Sequence, residues 1–246
     1  MMGPNNIFFL FLMIYFLSGL LSGSPVGLFS LLFRNPLAFL LLAPAIFFSI
    51  VIHEVAHGWV AEKMGDGTAR WLGRISLDPR KHFDPVGTLM LFFTGFGWAK
   101  PVPINVSNFY SFRQGLILVS GAGIAANFIL AFLAILSLHW LSLTLYSPIH
   151  LFLIYLARVN IMLASFNLIP IPPLDGSKIL MGFASREMQY TLERIEPYGF
   201  FIIIGLLFFG LLDPLVPSGG HLRFPSGLTR RTRVSPALTR RSNLMD

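Results

Sequence analysis

The sequence predicts an all-α membrane protein with about five transmembrane helices, or six with a re-entrant segment, arranged around a core of three helices. Two observations lead to this fold class. The 246 residues are 54% hydrophobic and only 12% charged, about half the charged fraction of a typical soluble domain. The apolar residues also fall into separate runs, several of which approach the roughly 20 residues that a helix needs to cross a bilayer.

The first two runs are predicted to span the membrane. Residues 7–21 have no basic residue before them and no clear small-residue cleavage site after them, which favours a retained helix over a signal peptide. The second span covers residues 36–64. Asn35 is a suitable N-cap for it, Pro36 fits the first helical turn, and Gly65 fits the C-terminal end.

The remaining runs complete the predicted fold. Residues 87–97 are apolar but too short to cross, as expected of a re-entrant or interfacial segment. Further spans are predicted at residues 114–141, 149–169 and 198–212, the last of which is short for a bilayer. The chain then becomes rich in Arg, Ser, Pro and Gly, which is typical of a disordered tail. The predicted organisation is an N-terminal span and loop (1–35), a membrane core (36–182), a C-terminal loop and span (183–213) and a basic tail (214–246).

Basic side chains set the predicted orientation. The loops between the second and third spans and between the fourth and fifth are rich in Lys and Arg, so they are predicted to be cytoplasmic. The arginine-rich tail would then be external, against this rule, unless the last segment does not cross. The protein is thus expected to be a multi-pass protein of the cell membrane, with the lipid bilayer as a partner.

Because the net charge of +7 comes from loops and tail, no nucleic-acid binding is expected. The sequence does not predict an oligomeric state.

Three ionisable residues, His53, Glu54 and His57, lie within the second span, where such side chains are costly and usually functional. Residues four apart share a helix face, so both imidazoles can reach one metal ion while Glu54 projects beside them. This H-E-x-x-H pattern provides two zinc ligands and a general base for a metal-activated water. A buried structural pair of histidines is the alternative. The chain has no cysteine, so thiolate ligands are excluded.

A third protein ligand is expected because catalytic zinc usually has three. Asp175 is the favoured residue: it follows the fourth span in an apolar, proline-rich stretch, and two antiparallel crossings would bring it to the depth of His57. An Asp-Gly turn without a metal is the other interpretation of this position. The remaining candidates lie in a polar loop or at the far ends of the spans: Asp66, Asp78, Asp84, His139 and His150.

The stretch GWAKPVP, residues 97–103, is predicted to be extended, because its two prolines disfavour a helix. Such a segment beside a metal site could pair with a substrate strand, which makes four residues candidates for substrate binding: Trp98, Lys100, Pro101 and Pro103. A transmembrane substrate must unwind first, since a helix hides its peptide bonds. A membrane-surface loop anchored by Trp98 and Lys100 is an equal alternative.

Over residues 36–182 the chain resembles the site-2 protease family of intramembrane zinc metalloproteases. That family has H-E-x-x-H in one span and a distant N-x-x-P-x-P-x-L-D-G, matched here by HEVAH (53–57) and NLIPIPPLDG (167–176). Two further family motifs are matched by HFDPVG (82–87) and by GWAKPVP. The stretch AGIAAN (122–127) matches the family's A-G-P-x-x-N, except that Ile124 replaces the usual proline.

The resemblance implies that one zinc ion is bound by His53, His57 and Asp175. It also implies that Glu54 is the catalytic base and that Asn127 acts near the catalytic centre, although an asparagine within a span also commonly joins helices. The implied activity is hydrolysis of peptide bonds in transmembrane protein or peptide substrates, with the active site towards the cytoplasm. Short loops leave no room for the PDZ insertion of one family subtype, and no CBS domain is visible, so a minimal core enzyme is expected.

Two other functions fit a cluster of His and Glu inside a membrane. A metal or ion transporter could line its path with these residues, but the internal repeats expected of a transporter are not seen in the sequence. A catalytically silent binding scaffold would be expected to have lost Glu54 or a metal ligand, but all four residues are present. A zinc-dependent endopeptidase is therefore the leading hypothesis.

Overall fold

The computed structural model of the chain describes residues 27–95, 97–209 and 211. The first predicted span (7–21) and the predicted basic tail (214–246) lie outside the described residues. The described part has no β-strand, which confirms the all-α prediction. Its elements are two 3₁₀ turns (Pro79–Lys81 and Val106–Asn108) and the helices α1 (Leu28–Arg34), α2 (Pro36–Lys63), α3 (Thr68–Trp71), α4 (Pro85–Thr94), α5 (Phe112–Trp140), α6 (Pro148–Asn167), α7 (Asp175–Phe183) and α8 (Arg186–Phe208).

Three of the described helices, α2, α5 and α6, are long and apolar enough to cross a membrane. They correspond to the predicted second, third and fourth spans. The predicted fifth span differs, because α8 begins at Arg186 rather than at residue 198 and has a charged first half. This first half is held to the protein where Leu192 packs against Leu116 and Met181. Helix α4 has ten residues and is too short to cross, as expected of the re-entrant or interfacial segment.

The ends of α2 follow the signals in the sequence. Asn35 caps the helix, since its side-chain oxygen accepts a hydrogen bond from the Ala38 amide at 3.0 Å. The helix ends at Lys63, and Gly65 follows with a φ of 109°, a conformation that favours glycine. Between these ends, His53 and His57 lie on the buried face of the helix.

Helix α5 is at the centre of the described fold and packs against α2, α6 and α7. Asn160 of α6 donates a hydrogen bond to Ser49 of α2 at 2.7 Å, while large side chains of α5 such as Phe128 and Phe132 face outwards. Small residues let membrane helices approach closely. The buried cluster between the three long helices contains four alanines: Ala38, Ala45, Ala134 and Ala157.

Asp66 joins the loop after α2 to the segment that precedes α5. Its buried carboxylate accepts hydrogen bonds from the Asn105 amide at 2.7 Å and from Asn108 Nδ2 at 2.9 Å. The amide and hydroxyl of Thr68 donate to the same carboxylate. Burial alone would raise the pKa of Asp66, but these hydrogen bonds hold that pKa below its usual range. Asp66 therefore stabilises the loop and does not join the metal site for which the sequence left it as a candidate.

Replacing Asp66 with asparagine is expected to destabilise the protein. The variant presents an NH₂ group to the Asn105 amide or to the Thr68 and Asn108 donors, so it should lower the free energy of unfolding by about 2 to 4 kcal/mol. Because the folded pKa of Asp66 is lowered, its stabilisation is present above the pKa of the unfolded chain and is lost as the pH falls towards the folded pKa. Thermal unfolding in detergent should show that the difference in stability between Asp66→Asn and wild type becomes smaller as the pH is lowered from neutral to acid. The control is Asp78→Asn, at a partly exposed carboxylate that pairs with the exposed Arg80, and an equal loss of stability there would contradict this role.

Candidate metal centre

The side chains of His53, His57 and Asp175 converge on one point. Asp175 Oδ2 lies 3.1 Å from His53 Nε2 and 3.2 Å from His57 Nε2, and the two Nε2 atoms are 3.0 Å apart. Within the described residues, this is the one group of three His, Asp or Glu side chains whose ligand atoms all lie within 4.8 Å of one another. The structure thus brings the three predicted ligands together.

Helix α5 packs on the two histidines and orients His57. His57 Nδ1 lies 2.7 Å from the main-chain oxygen of Val119. Because a carbonyl oxygen only accepts, Nδ1 carries the proton and Nε2 keeps its lone pair for a metal. One turn further along α5, a Cβ at Gly123 would lie 2.5 Å from His57 Nε2 and 2.6 Å from His53 Cε1. Glycine at this position therefore leaves the room that the metal ligands occupy.

The start of α7 carries Asp175 to the histidines. Asp175 is the first residue of this helix, and Gly176 permits the tight return of the chain. A Cβ at Gly176 would lie 2.3 Å from the main-chain oxygen of Leu168. Asp175 thereby adds a carboxylate oxygen to the two imidazole nitrogens, and such an oxygen is a suitable ligand for a cation.

The donor set fits a zinc ion. Ligand atoms at about 2.0 to 2.1 Å from zinc in a tetrahedral site are about 3.3 Å from one another, and the three separations here are 3.0, 3.1 and 3.2 Å. Two neutral imidazoles and one carboxylate form a typical catalytic set, which leaves a fourth position for water or substrate.

A cavity of about 390 Å³ opens beside the three ligands, lined by α2, α5, α7, α8 and the segment that begins at Pro101. Glu54 lines this cavity next to His53. Its Oε2 accepts a hydrogen bond from the Val102 amide at 2.8 Å. Its Oε1 has no hydrogen-bond partner in the part of the chain that the structure describes. One carboxylate oxygen is therefore fixed, and the other is available to the cavity.

Asn127 lies on α5 near the metal site but outside the residues that line the cavity. It is one turn beyond Gly123, which approaches both histidines. Its amide is fully buried, and neither amide atom has a hydrogen-bond partner among the described residues. Buried amides without a partner are rare, so this group is available to a water or a carbonyl. Its role near the catalytic centre stays a prediction.

The four candidate substrate-binding residues occupy different places. The segment around them is free of helix, as the prolines predict. Pro101 lines the cavity beside Glu54. Trp98 lines a second, more apolar cavity between α2, α4 and α6. Lys100 is exposed and Pro103 is half-buried, and neither lines the cavity beside the metal ligands.

Sequence reasoning missed the residues that act through their main chain or through the absence of a side chain. Val102 contributes an amide and Val119 a carbonyl, and neither role can be recognised from a valine in the sequence. Gly123 lies in the AGIAAN stretch, which was the available signal. Glu193 and Glu196 of α8 also line the cavity. They were missed because the predicted fifth span began after them.

The sequence is similar to zinc metalloproteases. A family model described as Peptidase family M50 matches residues 142–210. The "Putative zinc metalloprotease YwhC" of Bacillus subtilis is 35% identical over 185 residues, covering 72% of this chain and 81% of that protein. The "Putative zinc metalloprotease Rip2" of Mycolicibacterium smegmatis is 28% identical over 211 residues, with coverages of 75% and 80%. The "Zinc metalloprotease MJ0392" of Methanocaldococcus jannaschii is 25% identical over 182 residues, with coverages of 73% and 45%. No solved structure matches the chain significantly.

Proposed function

The chain belongs to peptidase family M50, the site-2 protease family of zinc metalloproteases, and we propose that it cuts peptide bonds of membrane-embedded substrates. It is a metalloendopeptidase with zinc as its cofactor. One observation carries the proposal. The ligand group of His53, His57 and Asp175, with Glu54 beside it, lies among three helices apolar and long enough to cross a bilayer.

Each residue of the site has a role in the proposed reaction. His53, His57 and Asp175 hold the zinc ion. When bound, zinc supplies a Lewis acid that polarises a carbonyl and lowers the pKa of water. Glu54 Oε1 accepts the proton of the attacking water, since Oε2 is engaged by the Val102 amide, and the same carboxyl then passes this proton to the departing amine.

The substrate is proposed to enter the cavity as an extended strand. A helix hides its peptide bonds, so a transmembrane segment must unwind before one of its carbonyls can reach the site. Pro101, Val102 and Ile104 line the cavity and offer an extended edge for pairing. Because the Val102 amide is already bonded to Glu54, a substrate strand would pair with the Val102 carbonyl and with Ile104.

The active site is proposed to face the cytoplasm from within the cell membrane. The loop between α5 and α6, residues 141–147, has no charged residue, whereas the loops at the other ends of these helices contain lysines and arginines. Basic loops are typical of the cytoplasmic side. The start of α5 also contacts the connection between α7 and α8 on this side, since Arg113 Nη2 donates to the main-chain oxygen of Ala184 at 3.2 Å. Water would reach the site from this polar side, and an apolar substrate from the lipid.

Single cysteines should report this orientation, because the native chain has none. Arg80 is exposed in a 3₁₀ turn on the proposed cytoplasmic side, and Ser142 is exposed in the loop after α5. In intact cells, a membrane-impermeant maleimide is expected to label Ser142→Cys and to label Arg80→Cys only after lysis. Labelling of Arg80→Cys but not of Ser142→Cys in intact cells would show that the orientation is opposite to the one proposed.

Purified protein reconstituted with a single-span model substrate tests the proposed function. We expect a cut within the apolar segment of the substrate, identified by mass spectrometry of both fragments. The cut should be faster when a glycine or proline near it weakens the substrate helix. A substrate with an uninterrupted polyleucine segment is the matched control and should be cut slowly. Cleavage restricted to the water-exposed flanks of both substrates would contradict the proposal.

A further inference from the structure

Three main-chain amides between Lys100 and Asn105 donate hydrogen bonds to the rest of the protein. The Lys100 amide donates to the main-chain oxygen of His82 at 2.9 Å, and the Asn105 amide donates to Asp66. Between these two anchors, the Val102 amide donates to Glu54 Oε2 at 2.8 Å. This segment is therefore more than a possible edge for a substrate, because it holds one oxygen of the carboxylate that acts as the general base.

Arg74 holds the same segment from the opposite side. Its Nη2 lies 2.9 Å from the main-chain oxygen of Lys100 and 3.0 Å from that of Pro101. Among the described residues, no carboxylate forms an ion pair with Arg74. The guanidinium thus donates to two consecutive carbonyls. Such charge-assisted hydrogen bonds are stronger than those between neutral groups.

The Pro101–Val102 peptide unit connects these two contacts. Its oxygen is held by Arg74, and its N–H is held by Glu54. The unit is planar and trans, so its oxygen and its N–H point in opposite directions, and a rotation that releases one contact also releases the other. A cation on the oxygen also polarises the unit and strengthens the N–H as a donor. Pro101 and Pro103 have no N–H of their own, so Val102 offers the one main-chain N–H between Lys100 and Ile104.

We propose that Arg74 is a positioning residue for Glu54 and acts through the Pro101–Val102 peptide unit. The inference rests on the proposed function, in which Glu54 is the general base. Arg74 fixes the peptide plane, the plane fixes Glu54 Oε2, and Oε1 is left directed at the reacting water. Small displacements of a catalytic group have large effects on rate, and a shift of about 1 Å can cost about 100-fold.

Arg74→Gln tests the proposal in the reconstituted full-length protein. We expect kcat to fall about 10- to 100-fold with KM within about twofold of wild type, while the zinc content stays at the wild-type level. Arg74→Lys keeps a positive donor for the carbonyls and should recover part of the lost kcat. Arg80→Gln removes an exposed arginine that bonds only to Asp78 in the described residues, and this control should leave kcat unchanged.

Hydrogen–deuterium exchange provides a readout that is independent of activity. In zinc-free protein, Arg74→Gln should speed exchange of the Val102 amide, because the peptide unit is no longer held, while the amides of α5 exchange as in wild type. Wild-type kcat in Arg74→Gln would overturn the inference. So would a loss of zinc, or faster exchange throughout α5, since either shows a general structural role. Cleavage by Glu54→Gln near the wild-type rate, assayed alongside, would instead contradict the role of Glu54 as general base in the proposed function.

Discussion

Glu54→Gln is expected to abolish cleavage of a transmembrane substrate while zinc stays bound. Glutamine is nearly isosteric, and its oxygen can still accept the Val102 amide that contacts Glu54 at 2.8 Å. It cannot accept a proton from water, and loss of a general base typically lowers the rate by about 10² to 10⁴-fold. Turnover in proteoliposomes and zinc content of the same preparation measure both parts of this prediction.

Glu62→Gln is the matched control for that experiment. Glu62 lies on the same helix but pairs with Arg70 outside the cavity. The Glu62→Gln variant should retain turnover close to that of wild type, because an exposed ion pair contributes little to stability. A Glu54→Gln protein that still cleaves near the wild-type rate would show that Glu54 is not the base, whatever its zinc content.

His57→Ala is expected to lose the metal. The substitution removes one of the three proposed zinc ligands and leaves the Val119 carbonyl, 2.7 Å from His57 Nδ1, without its donor. Loss of an outer partner alone lowers metal affinity about 10- to 100-fold, and loss of a ligand should exceed this. Asp175→Ala should behave in the same way. Zinc per chain, measured after dialysis against a buffered free zinc concentration, reports the effect.

The control for the metal prediction is His139→Ala. His139 is exposed at the far end of α5, so its removal should leave the zinc content unchanged. Full zinc occupancy in both His57→Ala and Asp175→Ala would mean that the metal is bound elsewhere. Thermal unfolding of the zinc-free proteins separates loss of a ligand from loss of the fold.

Local signals in the sequence were sufficient to predict the three long helices around the site, α2, α5 and α6, but not α7, whose first residue is Asp175. Asn35, Pro36 and Gly65 mark the ends of α2, and the four-residue spacing of His53 and His57 follows directly from helix geometry. The position of Asp175 required one more step, the antiparallel path of the spans. The ends of α2, the spacing of the histidines and the position of Asp175 could be predicted because each depends on a periodicity or on a turn residue that can be recognised in the sequence.

Other parts of the site could not be predicted because they depend on tertiary contacts of the main chain. The Val102 amide and the Val119 carbonyl belong to valines, whose side chains suggest only packing. Gly123 matters because of what lies opposite it, 2.5 Å from where its Cβ would be. The start of α8 was missed because its first half is polar and is held to the protein by packing of Leu192, a contact that hydropathy does not reveal.

The most direct test of the central claim is a zinc titration of substrate cleavage in proteoliposomes. The protein is stripped of metal with a chelator and zinc is restored stepwise, while zinc bound per chain and cleavage within the apolar segment of a single-span substrate are measured together. Cleavage is expected to be absent without zinc and to rise in proportion to zinc occupancy, with its maximum at about one zinc per chain. Cleavage that persists without zinc, or an intact substrate at full occupancy, would contradict the central claim.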